Sequence, residues 1–157
     1  MISIRQLRPE DDLAPVLDLC REFFAEYEGY HEEFFDTDDL RDDDISGRFL
    51  ESLESDDGAT IIALLDGVVV GYALISVRAQ PDFYRIKKVG AISGLMVSKK
   101  QRRAGIGSRL LAEARTYFRK RGIKYFTLYT AVANRAALEF YRRNNLAELH
   151  TSFIGET

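Results

Sequence analysis

QRRAGIGSRLL, residues 101–111, sets two arginines before a Gly-x-Gly step and runs directly into an apolar stretch. Ile106, Leu110, Leu111, Ala114 and Phe118 recur at helical spacing, so a helix begins inside the quoted residues. Gly122 is placed to end it in a left-handed cap. Upstream, KKVGAISGLMV (87–97) reads as a strand, and downstream the run from Lys124 to Ala131 reads as another. Strand, single helix and strand in this spacing predict a right-handed crossover with the two strands as parallel neighbours. Gly94 weakens the first of these strands and predicts a bulge or a close approach to its backbone.

The rest of the chain extends this α/β pattern. ISIRQLR alternates apolar and polar residues as a half-buried strand does. A helix follows, capped by Asp11 or Asp12, with Pro15 in its first turn and Leu13, Val16, Leu17, Cys20, Phe24 and Tyr27 along one face. A second helix is expected from about Asp39 to Ser55. ATIIALLDGVVVGYALISV reads as a hairpin hinged at Asp66-Gly67, the pair suited to a type I′ turn. Asn134 caps a last helix that carries Ala137, Leu138 and Tyr141 and stops near Asn144-Asn145. AELHTSF (147–153) reads as a final strand. With 157 residues, 46% of them hydrophobic, and no linker or repeat, the chain is expected to form a single domain over 1–157.

Composition narrows the function. The N-terminal stretch lacks a secretory pattern and no apolar run is long enough to span a bilayer, so no membrane association and a cytoplasmic location are expected. One cysteine, Cys20, on an apolar helix face reads as a buried structural thiol. With two isolated histidines, His31 and His150, no metal site is expected. The net charge of -3 hides a division: residues 1–58 hold 19 acidic and 5 basic side chains, and the remainder holds 6 acidic and 17 basic. Such polarity speaks of partners rather than of fold. Nucleic-acid binding through the basic half fits poorly with the net negative charge and the lack of a nucleic-acid motif.

The quoted loop is neither a P-loop, which needs Gly-Lys-Ser/Thr, nor a dinucleotide fingerprint, because Leu110 is large where a third small residue is needed. Glycines at 105 and 107 still let the backbone approach a ligand closely, and free amides at the helix start carry the positive end of the dipole. A phosphate or pyrophosphate is the expected occupant, with Arg102, Arg103 and Arg109 adding positive charge nearby.

These features together resemble the GCN5-related N-acetyltransferase (GNAT) family. Arg102-Arg103-Ala104-Gly105-Ile106-Gly107, continuing into Ser108, resembles its loop for the coenzyme A pyrophosphate. ISGLMV resembles its splayed fourth strand, whose backbone at Leu95, Met96 and Val97 would pair with the pantetheine arm. Asn134 followed by Tyr141 resembles its last helix, with the asparagine on the cofactor and the tyrosine facing the thioester sulfur. The resemblance implies a mixed, mostly antiparallel sheet of six to seven strands, one parallel crossover and about four helices. It implies acetyl-CoA as cosubstrate and direct attack by a primary amine, with Tyr141 as the acid for the departing thiolate. Two departures stand out. Asn145-Leu146 replaces the usual Gly-Phe, and neither Ser93 nor Gly94 supplies the acidic residue common there.

The general base is therefore unassigned, with His31, Glu32, Glu33 and Asp36 as candidates by position alone. A non-catalytic CoA-binding module is the alternative reading. The acidic half, with Tyr27, Tyr30, Phe34 and Phe35, predicts a cationic amine acceptor, and the protein is expected to be a monomer or homodimer.

Overall fold

The computed structural model describes all 157 residues. In chain order the elements are β1 (Ile2–Gln6), α1 (Ala14–Glu28), α2 (Asp42–Glu54), β2 (Gly58–Leu65), β3 (Val68–Ala79), β4 (Lys88–Val97), a short 3-10 turn (Lys99–Gln101), α3 (Ile106–Lys120), β5 (Phe126–Leu128) and α4 (Arg135–Arg143). The sheet order is β1-β2-β3-β4-β5, antiparallel except for the β4–β5 pair, which is parallel as the crossover requires. Asp66 and Gly67 both take positive φ, 50° and 85°, and close the β2–β3 hairpin. No helix is long and apolar enough to cross a membrane.

Alternation along the strands builds two cores. On one face Ile61, Ala73, Ile75 and Ile92 pack under Ile106, Leu110, Leu111, Ala114 and Phe118 of α3. On the other, Ile62, Tyr72 and Met96 pack under Val16, Leu19 and Cys20 of α1 and Ile45 and Phe49 of α2. Cys20 is buried with no disulfide partner. Gly90 is glycine because the Phe118 ring occupies the space its Cβ would need, at 2.6 Å.

The sheet has five strands rather than six to seven. The predicted strand at 124–131 shrinks to three residues, paired through Gly90↔Phe126, Ala91↔Thr127 and Ile92↔Leu128. AELHTSF forms no strand; after Leu146, which packs on the α3 core, residues 147–157 are exposed and without regular structure. The alternation in AELHTSF is real, but a strand needs a partner ladder, and β5 offers only three residues. Of the two candidate caps for α1, Asp12 meets a first-turn amide and Asp11 does not. Asp11 accepts instead from both terminal nitrogens of Arg5, at 2.6 and 2.8 Å, and from the Arg8 amide at 2.8 Å, while Asp12 accepts from the Ala14 amide at 3.0 Å. Gly122 at φ 70° and Asn145 at φ 62° terminate α3 and α4 in the left-handed manner expected.

Candidate active site

The site begins with a bulge. In the β3–β4 ladder Ile75 pairs with Ile92 and Leu74 with Gly94, so Ser93 is the extra residue, one position before the predicted Gly94. The bulge turns β4 away from β5, whose pairing ends at Ile92. From Ser93 to Val97 β4 is therefore bonded to β3 on one edge and open on the other. Leu95, Met96 and Val97, expected to offer backbone groups to an extended ligand, lie along this open stretch.

Gly94 faces the α1/α2 side, where an added Cβ would lie 3.1 Å from the Tyr72 ring and 3.4 Å from its hydroxyl. Tyr72 is itself clamped edge-on against Phe49, with ring centroids 5.3 Å apart. The aromatic ring thus occupies the space a side chain at 94 would need, a relation that no local pattern in the sequence announces.

Beyond β4 the chain passes through two left-handed residues, Arg103 at φ 66° and Gly105 at φ 76°, before Ile106 opens α3. A non-glycine residue held at positive φ is strained, and such strain concentrates at ligand-binding loops. The first-turn amides of α3 at Ile106, Gly107 and Ser108 have no partner within the helix, and the Ile106 side chain is buried beneath them. The arginines divide their work. Arg102 turns inward: its Nε donates to the Val97 carbonyl at 3.0 Å and a terminal nitrogen to Glu26 Oε1 at 2.7 Å, locking the loop to α1. Arg109 donates to the Ile2 carbonyl at 3.0 Å and fastens β1 instead of standing over the loop. Arg103 and Ala104 remain exposed at its rim.

Asn134 caps α4, its Oδ1 accepting from the Ala137 amide at 3.1 Å. This fixes Tyr141, which is half-buried and whose hydroxyl pKa burial, with a smaller contribution from Tyr27, pushes up to about 12. Tyr27 of α1 lies beside Thr130 and the Ala131 backbone in the β5–α4 connection and near enough to Tyr141 to influence its hydroxyl. Its ring extends into an aromatic wall with Phe23, Tyr30 and Phe35, at centroid distances of 4.9, 5.5 and 5.1 Å.

The residues considered as base follow on from this aromatic wall. His31, Glu32, Glu33 and Asp36 sit exposed on the α1–α2 loop. His31 Nδ1 accepts from the Phe34 amide at 3.1 Å, and Asp36 accepts from the Asp38 amide at 2.8 Å. A few acids of this half are paired: Arg21 bridges Asp18 and Asp42, and Arg41 holds Asp44. His150 lies on the exposed C-terminal segment.

A splayed parallel strand pair, a left-handed loop into a helix and a capped helix carrying a half-buried tyrosine match a known arrangement. The profile of the acetyltransferase (GNAT) family covers residues 17–145. The chain belongs to the GNAT family. An uncharacterized N-acetyltransferase of Methanocaldococcus jannaschii is 25% identical over 139 residues; the match covers 88% of this chain and only 58% of that protein. An aminoglycoside acetyltransferase from an uncultured soil metagenomic sample, solved with trehalose, superposes with a TM-score of 0.74 at 25% identity over 99% of this chain and 95% of its own. AAC(6')-Iy, solved with a bisubstrate analog of coenzyme A and acetylneamine, shares the fold at a TM-score of 0.74 and 19% identity, covering 100% and 98% of the two chains. A Bacillus halodurans protein reaches a TM-score of 0.85 at 17% identity, with 99% of each chain covered.

Proposed function

We propose that this GNAT protein transfers the acetyl group of acetyl-CoA to a primary amine of a cationic acceptor by direct attack. The observation that carries the reading is the open edge of β4 from Ser93 to Val97, which leads straight into the left-handed loop at Arg103–Gly105. An extended amide-bearing arm would find backbone partners along Leu95, Met96 and Val97. The diphosphate at its end would meet the amides of Gly105, Ile106, Gly107 and Ser108 and the charge of Arg103. The residues present therefore fit the cosubstrate, which supplies an activated acetyl carbonyl and a thiolate leaving group.

The protein's own groups do the rest. A free β4 amide between Leu95 and Val97 is placed to stabilise negative charge developing on the carbonyl oxygen. Tyr141, protonated far above neutrality, donates its hydrogen to the sulfur as the carbon–sulfur bond breaks. No carboxylate stands at Ser93 or Gly94, so the amine's proton leaves to water at the exposed Ser93 bulge. The exposed acids of the α1–α2 loop draw in the cationic acceptor and the aromatic wall around Tyr27 shields it. The aminoglycoside acetyltransferases that share this fold support an amine acceptor.

The test is a thiol-release screen with acetyl-CoA over chemically diverse amines. Amine-dependent release of free CoA supports the reading. Tight cosubstrate binding without release by any amine would instead identify a CoA-binding module.

A further inference from the structure

A cavity of about 90 Å³ lies between α1, α2, β3 and β4. Its walls include Cys20, Asp44, Arg48, Tyr72, Ser93 and Gly94. The volume equals roughly three water molecules, against about 300 Å³ or more for a pocket that encloses a whole drug-sized ligand. A cavity of this size suits the end group of a ligand rather than a whole drug-sized molecule.

The charges on its walls decide which group. Asp44 is committed to Arg41, accepting from its backbone amide at 3.1 Å, its Nε at 3.3 Å and a terminal nitrogen at 3.2 Å. Arg48 has no such partner; it takes part in none of the ion pairs or side-chain hydrogen bonds of the protein. Arg48 lines the cavity from α2 with an exposed side chain, so its guanidinium stands at the solvent side of these walls. The one uncompensated charge on these walls is thus a guanidinium, whose planar fork matches a carboxylate. Because the Ser93 bulge forms part of the same wall, a group seated here sits next to the open β4 edge.

From this geometry we infer that Arg48 seats a carboxylate of the acceptor, so that the acceptor is an amino acid-like amine and not a simple polyamine. The inference rests on the transferase reading above and makes it narrower. The acidic α1–α2 loop attracts the ammonium groups of such a molecule, and Arg48 reads its acid end.

Matched acceptors that differ only by the carboxylate separate the two effects. Lysine and cadaverine, ornithine and putrescine, and lysine and lysinamide form suitable pairs. Steering by the acidic loop alone favours the more highly charged diamines. The Arg48 contact instead predicts that kcat/KM for the acids exceeds that for their partners by tenfold or more. It also predicts that Arg48→Gln lowers kcat/KM at least tenfold for the acids and by a smaller factor for the diamines. Arg48 is exposed, so the variant is expected to fold, which its thermal melt checks. Equal or better use of the diamines, or an equal loss on both classes in R48Q, overturns the inference. If no amine releases thiol, the transferase reading fails separately, and calorimetric titration of lysine and cadaverine into CoA-saturated protein decides this one. Lysine binding that weakens tenfold in R48Q supports it, and binding that ignores the substitution overturns it.

Discussion

The ring of Phe140 rests on Gly107: an added Cβ at position 107 would lie 3.1 and 3.2 Å from two of its atoms. A glycine in the first turn of α3 thereby sets how closely α4 docks, and α4 carries Tyr141 on the next residue. Alanine inside a helix ordinarily gains about 1 kcal/mol over glycine. Gly107→Ala should forgo that gain in the native background and should recover it when Phe140 is alanine. Denaturant titrations of the four proteins of the cycle check this, and a coupling below about 0.5 kcal/mol would mean that the two residues act independently.

Tyr141 keeps its proton throughout the working range, since its pKa is displaced upward to about 12. Its donor form is present below that value, so activity should rise with pH as the acceptor amine deprotonates and should not fall before about pH 11. Tyr141→Phe should lower turnover at least tenfold at every pH while acetyl-CoA binding persists. Undiminished turnover in the variant would remove the hydroxyl from the chemistry.

Arg103 holds a left-handed conformation that costs a non-glycine residue about 1–2 kcal/mol. Arg103→Gly should therefore raise the unfolding free energy, by up to about 1 kcal/mol once the added freedom of the unfolded chain is counted. The same change should weaken acetyl-CoA binding and flatten its salt dependence, because a cation leaves the diphosphate end. Isothermal titration at two ionic strengths, alongside urea unfolding, measures both effects.

Far from the site, Asp11 is held down to about 2, chiefly by the two-pronged hydrogen bond from Arg5. A depressed carboxyl pKa stabilises the fold above the unfolded value near 4, and the contribution disappears as pH falls through the folded value near 2. Asp11→Asn should cost about 1.5–3 kcal/mol at pH 7, the range for hydrogen bonds to a charged group. Wild type and variant should converge in stability as the pH is lowered from 4 to 2, which urea unfolding across that interval follows.

What the sequence reveals and what it hides divide along the range of the interaction. The Asp66-Gly67 turn, the left-handed stops at Gly122 and Asn145 and the buried face of α3 are decided within a few residues, and local pattern finds them. So is the glycine-rich turn that leads into α3. AELHTSF misleads because alternation records amphipathicity and says nothing about whether a neighbouring ladder exists. The inward turn of Arg102 toward Glu26, the Tyr72 ring above Gly94 and the contact of Phe140 with Gly107 join residues distant in the chain. Each leaves only a glycine or an arginine as its trace in the sequence. Arg48 leaves less still, since an exposed helical arginine is ordinary until a cavity is found beside it.

Acetyl transfer by this protein depends on one physical event, the capture of an acyl carrier's diphosphate by the amides and charge that follow β4. Calorimetry with purified protein and acetyl-CoA tests it most directly. The predicted result is one molecule bound per chain, with a dissociation constant in the ~1 μM–1 mM interval usual for enzyme substrates, and weaker binding in Arg103→Gly. No detectable heat of association with either acetyl-CoA or free CoA would contradict it.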